Sequence, residues 1–405
     1  MKSPRFDNVL IATVGHTQEP LQYSLAQHEP RAAIFIASQD TLGTVAHLKA
    51  AHPNLHSHTL ILEDAESLTE AYKAARKAYV LAKRWEAASI VADLSGGTKP
   101  MTAGVALALS GLGITFSYVG GERRDEHGRV VSGGERLRLL EDPTVRFHEL
   151  EWRSFRNAWN AWRMGSAADA LKQILRNASL LGPSEIKFYN HLLLATEGLE
   201  TWDRFHHSQA LEKIKQGLPI ALAIAEAWRH GAKARVLTAL EEQRIRLEQL
   251  VDKAGYPTYA LLADLLANAD RRADARRYDD ALARLYRALE LAAEADLYER
   301  TGIVLANAAT WPDGVQSTLE RGSKKLFGLQ AVLDLIFDVD VQLGNQGTLA
   351  QRLRTEKMRL GEVLQKRHRS ILAHGTEPVS KEDYEAFRSL FTRLDLKPAP
   401  KWPKW

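Results

Sequence analysis

The 405-residue chain contains no cysteine. Disulfides, thiolate metal sites and cysteine nucleophiles are therefore excluded, and a reducing compartment fits. No apolar run approaches the ~20 residues of a membrane span. The opening "MKSPRFDNVLIATVG" has too short an apolar stretch for a secretory leader. The expectation is a cytoplasmic protein without membrane contact. Metal-ligand patterns are equally scarce. His206 and His207 are adjacent and would face different directions on a helix, and His52, His56 and His58 read as an exposed loop around Pro53. "SEIK" (Ser184 to Lys187) contains the Glu-x-Lys of metal nucleases, but it opens a helix after Gly-Pro where that chemistry needs a strand. No metal is expected.

Excess charge is small over the whole chain, +4. It is concentrated at one end, where Gln351 to Trp405 carries 13 Lys and Arg against 7 Asp and Glu. Such a patch fits a polyanionic partner, and it also fits a solvated helix face.

The length allows two or three domains. "NVLIATVG", "AAIFIAS", "ASIVADLSGG" and "ITFSYVGG" are short apolar runs of the kind that form buried parallel strands, alternating with helical segments such as "LTEAYKAARKAYVLAKRW" and "PMTAGVALALSGLG". This order predicts a doubly wound, Rossmann-like α/β domain over 1–150, closed by a hairpin in "RVVSGGERLRLLEDPTVRFHELEW". Beyond Glu151 the pattern is helical almost throughout, and Leu282, Leu285, Leu289 and Ala293 share one helix face. Gly255 and Pro257 suggest a seam, giving a middle helical region over 151–255 and a C-terminal helical domain over 256–405. "LKPAPKWPKW" reads as an extended tail in which Trp402 and Trp405 have no evident role.

Two stretches carry candidate chemistry in the first domain. "DLSGGTKPMT" follows a strand and enters a helix: Gly96 and Gly97 let backbone approach a ligand, Ser95 and Thr98 can donate hydrogen bonds, Lys99 adds charge, and the helix start favours an anion. "VGHTQEPL" places Gly15, Thr17 and Gln18 after the first strand. Ligands of open α/β sheets bind in the crevice at such strand ends. A tight strand-to-helix turn with a capping threonine would explain the first stretch equally well.

The C-terminal stretch is "QKRHRSILAHG". Arg367 and His374, seven residues apart on a helix, lie about 20° from alignment. Basic residues near a helix C-terminus complement its dipole, which explains the sign of the charge. An Arg–His pair on one face also suits metal-free phosphodiester cleavage in RNA: the imidazole moves protons and the guanidinium holds the phosphate. One such pair per chain favours a symmetric dimer that brings two together.

"DLSGGTKPM" with "TVGHTQEPL" resembles the ligand loops of CARF domains, and "RHRSILAHG" resembles the HEPN ribonuclease motif. Together they resemble the CARF–HEPN effectors of type III CRISPR systems. The resemblance implies a homodimer activated by cyclic oligoadenylate, with no cofactor, cleaving single-stranded RNA to a 2′,3′-cyclic phosphate in antiviral defence. It assigns Gly15, Thr17, Gln18, Ser95, Gly96, Gly97, Thr98 and Lys99 to the activator and Arg367 and His374 to catalysis. His368 stands where the family most often has Asn, and Arg369 also satisfies the loose motif; the helix-face argument favours Arg367. A nucleotide-sensing regulator without nuclease activity and a ligand-independent toxin-type HEPN nuclease remain as alternatives, and degradation of the ring by the sensor domain stays open.

Overall fold

The computed structural model describes residues 5–121, 134–323, 329–355 and 375–405. It divides into two compact units, 1–150 and 151–405.

The first unit contains β1 (Asn8–Thr13), α1 (Glu19–His28), β2 (Ala32–Ser38), α2 (Leu42–Ala51), β3 (His56–Leu62), α3 (Leu68–Arg84), β4 (Ser89–Asp93), α4 (Lys99–Leu109), β5 (Thr115–Gly121), β6 (Glu135–Leu140) and a single turn, α5 (Pro143–Arg146). Strand order is β3-β2-β1-β4-β5-β6. The first five are parallel and β6 is antiparallel to β5. The fold is the expected Rossmann-like one. Its centre is covered on both faces, so β1 and β2 are uniformly apolar: Val9, Ile11, Ile34 and Ile36 belong to one core with the alanine stripe of α3, and Leu10, Ala12, Ala33 and Phe35 to the other with Leu21, Leu25 and Leu48.

Two local expectations change. His56 and His58 lie on edge strand β3 instead of in a loop; both remain exposed, and His56 stacks on Phe6 at 5.0 Å between centroids. Among its described residues the closing stretch supplies one strand, β6, whose partner is the preceding β5. After β6 the chain turns helical at Pro143, where Asp142 caps the turn, accepting from Thr144 N at 2.9 Å and Gly111 N at 2.6 Å.

The second unit is all α. Its described helices are α6 (Glu149–Asn160), α7 (Met164–Arg176), α8 (Pro183–Asp203), α9 (His207–Ala227), α10 (Gly231–Asp252), α11 (Tyr259–Asp274), α12 (Tyr278–Thr301), α13 (Asp313–Ser323), α14 (Leu329–Gln342), α15 (Leu349–Thr355) and α16 (Lys381–Arg393). One core is built from α6 to α10 around Phe155, Trp159 and Phe188. A second is built from α11 to α16 around Leu285, Leu289, Phe387 and Phe391. The expected stripe of α12 is buried throughout. Glu185 of "SEIK" accepts from Gly182 N at 2.8 Å and caps α8.

The Pro/Lys/Trp tail joins both cores. Ala399 N bonds Ala263 O at 2.8 Å, while Trp402 enters the first core with its ring against the Arg271 guanidinium at 3.9 Å. Trp159 Nε1 donates to Pro403 O at 2.8 Å. Asn160 meets Trp405 twice, giving a bond to its carbonyl at 3.1 Å and accepting its N–H at 2.9 Å. The two unplaced tryptophans are thus anchors of a strap.

Candidate functional site

The carboxyl ends of β1 to β4 surround a cleft of about 530 Å³. The loop after β1 supplies Gly15 and His16, the turn after β2 Ser38, Gln39, Asp40 and Thr41, the loop after β3 Glu63, Asp64 and Glu66, and the loop after β4 Gly97 and Thr98. This is the switch point of a doubly wound sheet, where chain connections leave β1 and β4 in opposite directions and open a crevice.

The glycines are required by the way the two predicted loops interlock. A Cβ on Gly96 would lie 2.5 Å from Thr13 O, one on Gly15 would lie 2.8 Å from Gly97 N, and Gly97 itself has φ +81°. Thr13 Oγ1 donates to Gly96 O at 2.5 Å and locks the contact. Below it a buried polar network fixes the loop's entry. Asp93 Oδ1 accepts from Ser95 N at 3.0 Å, and Oδ2 accepts from Ser24 Oγ at 2.8 Å and Ser117 Oγ at 2.9 Å. His28 Nε2 lies 3.0 Å from Ser117 Oγ. Burial pushes the His28 pKa down, opposed by the charge of Asp93.

The eight residues assigned to the activator therefore divide. Gly15, Gly97 and Thr98 line the cleft. Gly96 lies behind them against Thr13. Ser95 Oγ is turned toward β5 and accepts from Val119 N at 2.7 Å. Thr98 Oγ1 caps α4, accepting from Met101 N at 3.3 Å and donating to Ala65 O, so its hydroxyl proton is already committed within the protein. Gln18 Nε2 contacts His47 Nδ1 at 3.2 Å, and Thr17 is exposed. Lys99, the first residue of α4, is exposed, and its ammonium has no partner among the described residues.

One wall thus presents close-approach backbone and the N-terminus of α4, favourable to an anion. Another carries Asp40, Glu63, Asp64 and Glu66, which sequence reasoning missed because the turns after β2 and β3 have no glycine signature. Carboxylates repel phosphate but accept from ribose hydroxyls and exocyclic amines. A site with both walls is suited to a nucleotide held at phosphate and base rather than to a bare polyanion.

Arg367, His368, Arg369 and His374 lie outside the described residues. Among the described residues no group of His, Asp and Glu could hold a metal ion, and no helix is long and apolar enough to cross a membrane. His207, near the middle of the chain, is instead 3.2 Å from Asp264 Oδ2.

Residues 147–243 match the family model described as the Csm6 6H domain, and residues 251–397 match that described as the Csm6 HEPN domain. No curated protein matches the chain. Among solved structures, Enterococcus italicus Csm6 bound to cyclic hexa-2′-fluoro-hexa-dAMP is similar at 9% identity, with 96% of this chain and 93% of that one covered and a TM-score of 0.48. A type III CRISPR defence DNA nuclease activated by cyclic oligoadenylate is 21% identical over 35% of this chain and 22% of that one, with a TM-score of 0.28. Protein VC1899 from Vibrio cholerae is 13% identical over 42% and 50%, with a TM-score of 0.26.

Proposed function

Since this chain belongs to the Csm6 family, with both its 6H and its HEPN domain, we propose that it is a cyclic-oligoadenylate-activated endoribonuclease of type III CRISPR antiviral defence, acting in the cytoplasm on single-stranded RNA. The observation that carries this reading is the HEPN match over 251–397, which spans "RHRSILAHG". The sensor is residues 1–150, the middle helical region 151–255 and the nuclease 256–405.

In the proposed mechanism the substrate 2′-hydroxyl attacks the adjacent phosphorus and the 5′-oxygen leaves, producing a 2′,3′-cyclic phosphate. Arg367 stabilises the charge that develops on the phosphoryl oxygens. His374 transfers the proton at the attacking or departing oxygen. His368 and Arg369 assist by orienting the phosphate. No metal is needed for these steps. Each chain carries the pair once, so a homodimer supplies two sets of proton-transfer groups. The activator binds the cleft at the strand ends, its phosphates toward Gly15, Gly97 and the start of α4 and its amino and hydroxyl groups toward the carboxylate wall. The cleft can switch the nuclease only if the ring binds the active arrangement more tightly than the resting one.

The test is cleavage of labelled single-stranded RNA in EDTA, with product ends identified by mass spectrometry. Cyclic phosphate ends that disappear in His374→Ala are expected. Cleavage that requires added metal, or that survives His374→Ala unchanged, would overturn the mechanism. Comparing Arg367→Ala with Arg369→Ala assigns the catalytic arginine.

A further inference from the structure

The buried positions of α10 read Leu237, Leu240, Gln243, Leu247 and Leu250. This is the spacing of a continuous apolar stripe, and its central position is an amide. Gln243 is 7% exposed, and among the described residues nothing hydrogen-bonds its side chain. Neither amide atom is sealed from solvent. A leucine there would continue the apolar stripe, whereas the amide presents a donor and an acceptor that are reachable from outside the core.

The amide lines a cleft of about 440 Å³ bordered by α8, α10, α11 and the tail strap. That size accommodates a small ligand. Trp202 and Trp402 contribute aromatic wall. Arg246, one turn along α10 from Gln243, also lines it and has no partner among the described residues. Buried Arg271 is stacked on Trp402 and bonded through Nε to Asp203 Oδ1 at 3.0 Å, which leaves its Nη2 unpaired. Asp264 is already committed to Trp202 Nε1 and His207 Nε2.

These features share one complement. The amide offers a donor and an acceptor in one plane, as the edge of a nucleobase requires, and a free guanidinium suits phosphate. A bare anion would make no use of the indole wall or the amide, and an apolar peptide would make no use of the guanidinium. We propose that this cleft is a nucleotide-binding site of the helical unit, distinct from that of the sensor, that takes one nucleotide, either free or as part of an RNA strand.

The test is calorimetric titration of the full chain with the four ribonucleoside 5′-monophosphates, their nucleosides and a short single-stranded RNA. Saturable binding is expected, weakened at least about tenfold by Gln243→Leu, whose unliganded Tm equals or exceeds that of the parent. Arg246→Ala should weaken phosphate-bearing probes and spare the nucleosides; being half-exposed, it keeps the test valid should Gln243→Leu misfold. Binding of mononucleotides identifies a free-nucleotide site, and binding of the RNA alone identifies a strand site. The proposal is overturned if no probe binds, or if every probe binds both variants as it binds the parent.

Discussion

Replacing Gly96 by alanine probes whether the interlocked loops form the activator site. The new Cβ would sit 2.5 Å from Thr13 O and 3.2 Å from Gly15 N, both backbone atoms of a buried strand end and its loop. Neither can rotate aside, so the β4–α4 loop must move. Overpacking of this kind costs about 1–3 kcal/mol. The movement also breaks the Thr13 Oγ1 to Gly96 O bond, a loss of about 0.5–1.5 kcal/mol. The sum, about 1.5–4.5 kcal/mol, divides between folding and ligand affinity, because the clash is relieved only by leaving the arrangement that places Gly97 in the cleft. If all of it fell on affinity, the activator Kd would rise about 12- to 1,600-fold. The assay is calorimetric binding of cyclic oligoadenylates, paired with thermal melting. Gly43→Ala is the control, since a Cβ there meets nothing within 4 Å and α2 should tolerate or welcome it. Gly96→Ala that binds the ring and melts as the parent does would refute the reasoning.

Three further outcomes follow from the same structure. The folded α/β unit keeps His28 neutral, with its pKa below the ordinary 6.5 because of burial. Its stability should be full above about pH 6.5 and fall as pH drops below that value, because the unfolded chain takes up the proton first; His28→Gln should flatten the decline in a Tm-versus-pH series. Trp402→Ala removes a 3% exposed indole and the stacking partner of Arg271, so urea unfolding should show a loss of about 3–5 kcal/mol in the helical unit, with ring binding by the sensor retained. Asp93→Ala strands the donors Ser95 N, Ser24 Oγ and Ser117 Oγ, and should weaken ring binding more than Thr17→Ala, whose side chain is exposed; direct titration of both variants checks the order.

The α/β unit was legible because its central strands are buried on both faces and therefore uniformly apolar, as "AAIFIAS" is. Edge strand β3 escaped because its exposed His56 and His58 interrupt that signal. The glycines of both loops were legible as close-approach positions, yet part of that approach is between the loops themselves. Which way Ser95 and Thr98 point was not readable, since their partners, Val119 and Ala65, come from distant segments. The carboxylate wall was invisible for the same reason: Asp40 and Glu63 come to line one cleft only after β2 and β3 pair. Trp402 and Trp405 had no evident role because their packing depends on helices more than 130 residues upstream, around Arg271 and Asn160.

The central claim is that a ring bound by the first unit controls RNA cleavage by the second. Its most direct measurement is the initial rate of single-stranded RNA cleavage in EDTA with and without cyclic oligoadenylates of each ring size. At least one ring should raise the rate strongly in the parent, and Gly96→Ala should need far more of it for the same rate. Equal rates with and without every ring would contradict it.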